Sequence, residues 1–199
     1  MNRESEIDNR GGIPIHDSRL PKIGPLTLSN PVIVASGIAG NGEFLPEFFD
    51  VRALGAFVIK GLTLEPRKGN PPPRVAYVPG GMVNSIGLQN IGVDAFLRDR
   101  WPVLRTWGIP IIANIYGFQP REYAELTEKL EKADGMSAIE VNLSCPNVKG
   151  GGREAGEEPS AAADLIRDVR LRTKKAVIAK LAPGNPRLGD VARAIEGAG

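Results

Sequence analysis

The chain has 199 residues, 42% of them hydrophobic, which predicts one globular domain over 20–199 behind a polar leader over 1–19. A net charge of +2 without a basic run, and the lack of an apolar stretch fit for a signal peptide or a membrane span, predict a cytoplasmic protein without a nucleic-acid or membrane partner. The single cysteine, Cys145, excludes an internal disulfide and any iron–sulfur or structural zinc centre built by this chain alone.

Short apolar runs alternate with helical patterns along the chain. An entry hairpin is predicted at Leu20–Pro31, around the turn formers Gly24 and Pro25. Five strand candidates follow it: Val32–Ala35, Ala56–Ile59, Ile109–Ile115, Ala138–Leu143 and Ala176–Leu181. Their near-continuous apolar character is typical of parallel strands that are covered on both faces.

Helices are predicted between these strands because apolar residues recur there at helical spacing. The helical segments are Glu43–Leu54, with Gly55 as a C-terminal cap, Val93–Trp107, with a segment that starts or bends at Pro102, Pro120–Ala133, Ala161–Arg172 and Arg187–Ile195. Leu64–Met82 is rich in proline and glycine without periodicity, which predicts a long loop.

Strands that alternate with helices predict an α/β fold, either a doubly wound sheet or a (β/α)₈ barrel. Four strand candidates end in polar or glycine signals: Ser36 with Gly37, Lys60 with Gly61, Asn114, and Asn142 with Cys145. Functional groups at the ends of successive strands favour a TIM barrel, whose site is built from all its βα loops. Because a complete barrel takes about 250 residues, we expect this chain to supply roughly the first five βα units.

Three residues stand out as candidates for chemistry. A lone cysteine is most often an inert core residue, but Cys145 follows a strand and is flanked by the amides of Asn142 and Asn147, which favours a thiol that faces a ligand. Lys60 follows a fully apolar strand and Lys180 interrupts another. Each ammonium group either meets an anion or snorkels into water, and position alone does not choose between them.

Six motifs occur in order along the chain: IKG at 59–61, GNPPPR at 69–74, NSIGLQN at 84–90, ANI at 113–115, NLSCPN at 142–147 and AKL at 179–181. Together they resemble the FMN-containing dihydroorotate dehydrogenases of class 1. The segment GLQNIGV at 87–93 is most similar to the heteromeric NAD-linked branch, in which a partner subunit carries FAD and an iron–sulfur cluster. The resemblance implies oxidation of dihydroorotate to orotate in pyrimidine biosynthesis, a homodimer and an electron-transfer partner subunit.

The resemblance also assigns roles to residues. Cys145 would be the general base that takes the C5 proton while C6 passes hydride to flavin N5, and Lys60 would stabilise the thiolate and lie against the flavin edge and the substrate carboxylate. The FMN contacts would be Ser36, Lys60, Gly61, Asn114, Asn142 and Lys180. The substrate contacts would be Lys60, Asn84, Ser85, Ile86, Gly87, Leu88, Asn142 and Asn147.

Two alternatives stay open at this point. A dihydropyrimidine dehydrogenase has a similar flavin barrel, although its loop usually departs from SCPN, so Asn147 counts against it. The second alternative is a non-catalytic piece of a barrel. In this family the FMN phosphate is held by loops after late strands, so residues 1–199 alone are expected to bind FMN weakly. The family also usually has phenylalanine where Ala155 precedes Gly156.

Overall fold

A computed structural model describes residues 20–144 and 156–199. The strands are β1 (Lys22–Ile23), β2 (Leu26–Thr27), β3 (Ile33–Val34), β4 (Ala56–Val58), β5 (Val75–Val78), β6 (Gly81–Asn84), β7 (Ile111–Ile115), β8 (Ala138–Asn142) and β9 (Ala176–Lys180). The helices are α1 (Leu45–Phe48), α2 (Val93–Asp99), α3 (Trp101–Leu104), α4 (Pro120–Glu131), α5 (Pro159–Arg172) and α6 (Leu188–Glu196). None of these helices combines the length and the apolar character needed to cross a membrane.

The five predicted core strands form one parallel sheet in the order β3-β4-β7-β8-β9. Each strand pairs with the one before it, so the order does not reverse anywhere along these five strands. The α/β class with a parallel sheet is therefore confirmed. The reversal of strand order that defines a doubly wound sheet does not occur among them.

The pleat of this sheet separates two apolar clusters. Residues such as Phe57, Ile111 and Ile139 pack against the helices in the larger cluster. Their sequence neighbours Ala56 and Ile112 face the other way, because successive side chains on a strand point to opposite faces. The smaller cluster on this second face also contains Leu28, Ala138 and Ala176, together with Val58. The predicted β1-β2 hairpin packs here through Leu28, and it covers the face near the strand starts.

Helix α4 connects the helical layer to the end of β8. Pro120 occupies its first turn, and the Glu122 carboxylate accepts a hydrogen bond from the backbone N–H of Gln119 at 3.1 Å. Its apolar face packs in the core, where Tyr123 and Leu126 are buried. The Tyr123 hydroxyl donates a hydrogen bond to the carbonyl oxygen of Asn142 at 3.1 Å. The backbone that carries Asn142 is thus fixed by a helix as well as by its neighbouring strands.

The predicted helix Glu43–Leu54 is wrong in most of its length. The helical segment α1 stops at Phe48, and Asp50 starts a separate 3₁₀ turn at Val51–Ala53 by accepting a hydrogen bond from the Arg52 N–H at 3.0 Å. The side chain of Phe48 is consequently 78% exposed. Gly55 is not a helix cap either. A Cβ there would lie 2.0 Å from the Asn30 carbonyl oxygen, so the close approach of the backbone demands glycine.

The predicted loop Leu64–Met82 contains most of an antiparallel hairpin formed by β5 and β6. Its strands join through Pro79 and Gly80, and Gly80 has a φ of +82°. Both strands are exposed throughout. Val75–Val78, which is rich in strand-forming residues and precedes a proline–glycine turn, carried a strand signal, and the glycine and proline content of the segment obscured it. Pro102, expected to start or bend a segment, starts one: α2 ends at Asp99, and Pro102 lies in the first turn of α3.

Candidate active site

On the sheet face that carries the smaller apolar cluster, polar side chains follow the apolar ones at the carboxyl ends of the strands. Lys60 lies two residues beyond Val58, and Asn114 two beyond Ile112, so each shares a face with its apolar predecessor. Asn142 is paired in register with Lys180 across β8 and β9. Near the strand starts, this face is apolar and contacts the entry hairpin. About two residues further along the strands, the same face carries amides and ammonium groups.

These groups line a cavity of about 180 Å³. It contains most of the side chains and backbone positions predicted as contacts, namely Ser36, Lys60, Gly61, Asn84, Ile86, Gly87, Leu88, Asn114, Asn142 and Lys180. Gly37 and Ser144 line it too, although the sequence did not single them out as contacts. Ser85 lies outside the lining, and its hydroxyl accepts a hydrogen bond from Asn70 Nδ2 at 2.8 Å. Cys145 and Asn147 lie outside the described residues.

A second, larger cavity of about 810 Å³ adjoins the first and shares Gly37, Lys60 and Ile86 with it. Its wall includes Arg67, whose guanidinium lies 4.6 Å from the centre of the Phe118 ring. Small-molecule sites usually have volumes of about 300–1,000 Å³. A ligand larger than one ring would therefore extend from the smaller cavity into the larger one, past Lys60.

A chain of hydrogen bonds orients the two buried amides of the smaller cavity. Asn114 Nδ2 donates to Glu140 Oε1 at 2.5 Å, and Asn142 Nδ2 donates to Asn114 Oδ1 at 3.5 Å. Asn142 Oδ1 accepts from the backbone N–H of Ser144 at 3.1 Å and from its hydroxyl at 3.0 Å. Asn114 is fully buried and Asn142 nearly so. This row of hydrogen bonds thus runs from Glu140 in the sheet to Ser144, the residue that precedes Cys145 in sequence.

Lys60 is held by its backbone and lies beside a glycine. Its N–H donates to the Gly40 carbonyl oxygen at 2.9 Å, which links the end of β4 to the loop after β3. A Cβ on Gly37 would lie 3.6 Å from Lys60 Nζ. The half-buried ammonium group thus sits between the two cavities and against the Gly37 backbone, where a fixed cation can face an anionic ligand.

The loop of residues 86–90 is held in a conformation that side chains rarely adopt. Gly87 has a φ of +75°, and Leu88, which is not glycine, has a φ of +56°. The left-handed conformation costs a non-glycine residue about 1–2 kcal/mol. Asn90 stabilises this loop, because its Nδ2 donates to the Leu88 carbonyl oxygen at 2.8 Å and its Oδ1 accepts from the Gly92 N–H at 2.8 Å. Strained backbone of this kind clusters at ligand sites.

The residues that flank 145–155, namely Ser144 and Gly156, both lie near the end of β8. Asn142 holds Ser144 on one side, as given above. On the other side, Gly156 lies so close to Leu143 that a Cβ on it would be 2.5 Å from the Leu143 carbonyl oxygen. Asn185 Nδ2 donates to the Gly156 carbonyl oxygen at 3.1 Å. Both flanks of the segment that contains Cys145 are thus anchored at the strand end from which the cavity opens.

Gly61 provides the space that Asn114 occupies, and this leads to a testable expectation. A Cβ at position 61 would lie 2.7 Å from Asn114 Oδ1, and that amide is already held by Glu140 and Asn142. We expect Gly61→Ala to displace the amide and to weaken ligand binding in the smaller cavity about tenfold, or about 1.4 kcal/mol, because one hydrogen bond is lost. Titration with FMN, the cofactor that the resemblance implies, measures this by fluorescence quenching.

The matched control for that substitution is Gly81→Ala. Gly81 lies in the exposed β6, where a Cβ would meet nothing within 4 Å. Flavin affinity should stay within about twofold of the parent protein, as is usual for surface changes worth less than about 0.5 kcal/mol. An equal loss in both variants would show that loss of a glycine, rather than displacement of Asn114, is responsible.

Comparison with known proteins gives a consistent picture. The family model for dihydroorotate dehydrogenase matches residues 21–198. Relatives with the name dihydroorotate dehydrogenase B (NAD(+)), catalytic subunit, include one from Trichlorobacter lovleyi, 49% identical over 178 residues, which are 89% of this chain and 59% of the relative. One from Desulforudis audaxviator is 48% identical over 177 residues, with 89% and 58% covered. One from Geotalea uraniireducens is 44% identical over 178 residues, also with 89% and 58% covered. The chain thus spans somewhat over half the length of these relatives.

Proposed function

Because the chain belongs to the dihydroorotate dehydrogenase family, we propose that it oxidises dihydroorotate to orotate at the carboxyl edge of its parallel sheet, in pyrimidine biosynthesis. The family predicted from the six motifs is confirmed, and the relatives' names agree with the predicted NAD-linked branch. The observation that carries the proposal is a cavity in which the described residues bring together two lysines and three asparagines, from the ends of strands β4, β6, β7, β8 and β9.

The parallel sheet is proposed to form five consecutive strands of a (β/α)₈ barrel. Its strand order follows the chain without reversal, and the entry hairpin packs on the inner face at the strand starts. The polar residues lie at the opposite, carboxyl end, where barrel enzymes place their sites. Lys60, Asn114, Asn142 and Lys180 would all point into the barrel mouth.

The residues of the smaller cavity fit the ring of FMN. Their donors and acceptors are amides, a serine, two ammonium groups and the close-packed backbone of Gly61, a set suited to the polar edge of a planar ligand. We assign the contacts to Ser36, Lys60, Gly61, Asn114, Asn142 and Lys180. When bound, FMN supplies the hydride acceptor for the substrate C6. Fixed cations at Lys60 and Lys180 favour an electron-rich ring.

Dihydroorotate is proposed to lie against Asn84, Ile86, Gly87, Leu88 and Asn142, with its carboxylate near Lys60. Asn147 would add a further amide. The hydroxyl of Ser85 is bonded to Asn70, so we assign it to fixing the loop rather than to touching substrate. Cys145 would take the C5 proton, and Lys60 would stabilise the thiolate that does so.

The assembly is proposed from the relatives' names, which describe a catalytic subunit. Electrons would leave through a partner subunit that carries FAD and an iron–sulfur cluster and delivers them to NAD. This chain contains one cysteine, and a cysteine-ligated cluster needs about four. A homodimer of the catalytic chain is part of the same proposal.

The test is a pair of assays on the protein purified with its partner subunit. Orotate formation is followed with a dye acceptor, and dihydrouracil replaces dihydroorotate in a parallel reaction. We expect flavin and dihydroorotate turnover in a version extended to the full length of the relatives, whereas 1–199 alone is expected to bind FMN weakly. Turnover of dihydrouracil alone would assign the chain to the dihydropyrimidine reaction instead. Flavin binding with neither activity would leave a binding protein and would overturn the proposal.

A further inference from the structure

Glu140 has an unusual position for a charged residue. It is the only charged side chain in β8, between the buried Ile139 and Val141, and it is half-buried on the same face as Asn142. In register it lies opposite Asn114 on one side and Ile178 on the other. A carboxylate in such surroundings is costly unless it accepts hydrogen bonds. Glu140 does accept one from Asn114, and it does not line either cavity of the site.

From this geometry we propose that Glu140 is a positioning residue for the reaction, which sets the direction of the Asn114 and Asn142 amides and so holds Ser144, the residue before Cys145. The inference rests on the proposed function. It concerns a residue that touches neither of the proposed ligands.

The argument depends on the fact that an asparagine amide has two ends of nearly equal shape. An ionised carboxylate can only accept, so Glu140 selects the NH₂ end of Asn114 and turns its oxygen towards Asn142. That oxygen in turn selects the NH₂ end of Asn142, whose own oxygen then faces Ser144. One charge therefore determines the polarity of both amides and the acceptor that Ser144 meets.

The middle bond, from Asn142 Nδ2 to Asn114 Oδ1, is the longest at 3.5 Å. It is therefore the bond most easily reversed if Glu140 no longer dictates the orientation of Asn114. In Glu140→Gln the new amide could donate its own NH₂ group to the Asn114 oxygen. Asn114 would then be free to turn over, and its NH₂ group would face the NH₂ group of Asn142. Ser144 would then lose a fixed acceptor.

The first experiment is Glu140→Gln, with Glu125→Gln on the exposed side of α4 as the matched control. We expect Glu140→Gln to lower kcat about tenfold or more while KM changes less than threefold, since misoriented groups near the chemistry cost rate. We also expect the alkylation rate of Cys145 to change by about threefold in the protein without flavin, because thiol reactivity depends on the surroundings of the sulfur. Cys145 is the sole thiol of the chain, so alkylation reports on it alone. Glu125→Gln should change neither readout.

The second experiment is the exchange variant, which combines Glu140→Gln with Asn114→Asp. In this variant the new amide at position 140 donates, and the new carboxylate at position 114 accepts on both sides, which restores the direction of the Asn142 amide. Recovery of the parental alkylation rate in the protein without flavin would support the proposal; kcat is not the readout for this variant, because Asn114 is itself a proposed FMN contact. If Glu140→Gln does not fold, the exchange variant must fold and show the parental alkylation rate.

These outcomes separate the positioning role from the function itself. A parental alkylation rate and kcat in Glu140→Gln, with dihydroorotate turnover intact, would overturn the inference alone. An alkylation rate altered in Glu140→Gln and restored in the exchange variant, in a protein that turns over no dihydroorotate, would support the inference and overturn the proposed reaction. Failure of the exchange variant to restore the alkylation rate, in a protein that folds, would overturn the proposal that Glu140 sets the direction of the two amides.

Discussion

Replacing Cys145 with alanine is expected to lower dihydroorotate turnover by about 10²–10⁴-fold, because loss of a general base typically has this cost. It corresponds to about 3–5 kcal/mol of transition-state stabilisation. FMN affinity should stay nearly unchanged, since the proposed flavin contacts lie on Ser36, Lys60, Gly61, Asn114, Asn142 and Lys180. Stopped-flow reduction of the bound flavin by dihydroorotate measures the step directly.

Cys145→Ser is the companion variant. A serine hydroxyl is a much weaker acid than a thiol, so it is expected to remove turnover at neutral pH almost as fully as alanine does. Recovery in the serine variant as the pH rises would support a proton-transfer role. Full activity in the alanine variant would refute the assignment, and loss of flavin without any effect on the rate per bound flavin would make Cys145 a structural residue.

The five strands of the parallel sheet could be predicted, whereas the helix expected at 43–54 could not, for a physical reason. Runs such as Ala56–Ile59 are apolar on both faces, and only a covered parallel strand satisfies that pattern. Phe44 and Phe48 satisfy the helical period equally well, yet both are exposed. The local hydrogen bond from the Arg52 N–H to Asp50 replaced the helix there, and periodicity does not register such competition.

Some residues of the candidate site could likewise be predicted from the sequence, and others could not. Lys60 and Asn114 could be found because each polar residue ends an apolar run. The position of Glu140 near the site could also be predicted, because it lies two residues before Asn142 on the same strand and must share its face. The left-handed conformation of Leu88 could not be foreseen, because Asn90, which bonds to the Leu88 carbonyl, is itself held by Thr63 from a distant part of the chain.

Lys60→Ala is expected to weaken orotate binding and to slow flavin reduction, each by about 10²-fold, whereas Lys68→Ala should leave both within about twofold. Both lysines line the larger cavity, but only Lys60 also lines the smaller one. Lys60 is half-buried and Lys68 is exposed. A cation partly removed from water interacts more strongly with an anionic ligand, and solvent screens the exposed one.

The measurements are orotate titration of the flavin spectrum and single-turnover reduction, each at low and at high salt. Because the Lys60 effect comes from a partly desolvated charge, the difference between Lys60→Ala and the parent should persist at high salt. Any small effect of Lys68→Ala should fade as the salt screens it. Equal losses in the two variants, both abolished by salt, would mean that the general positive charge of the larger cavity attracts the ligand. In that case the position of Lys60 at the end of β4 would have no special role.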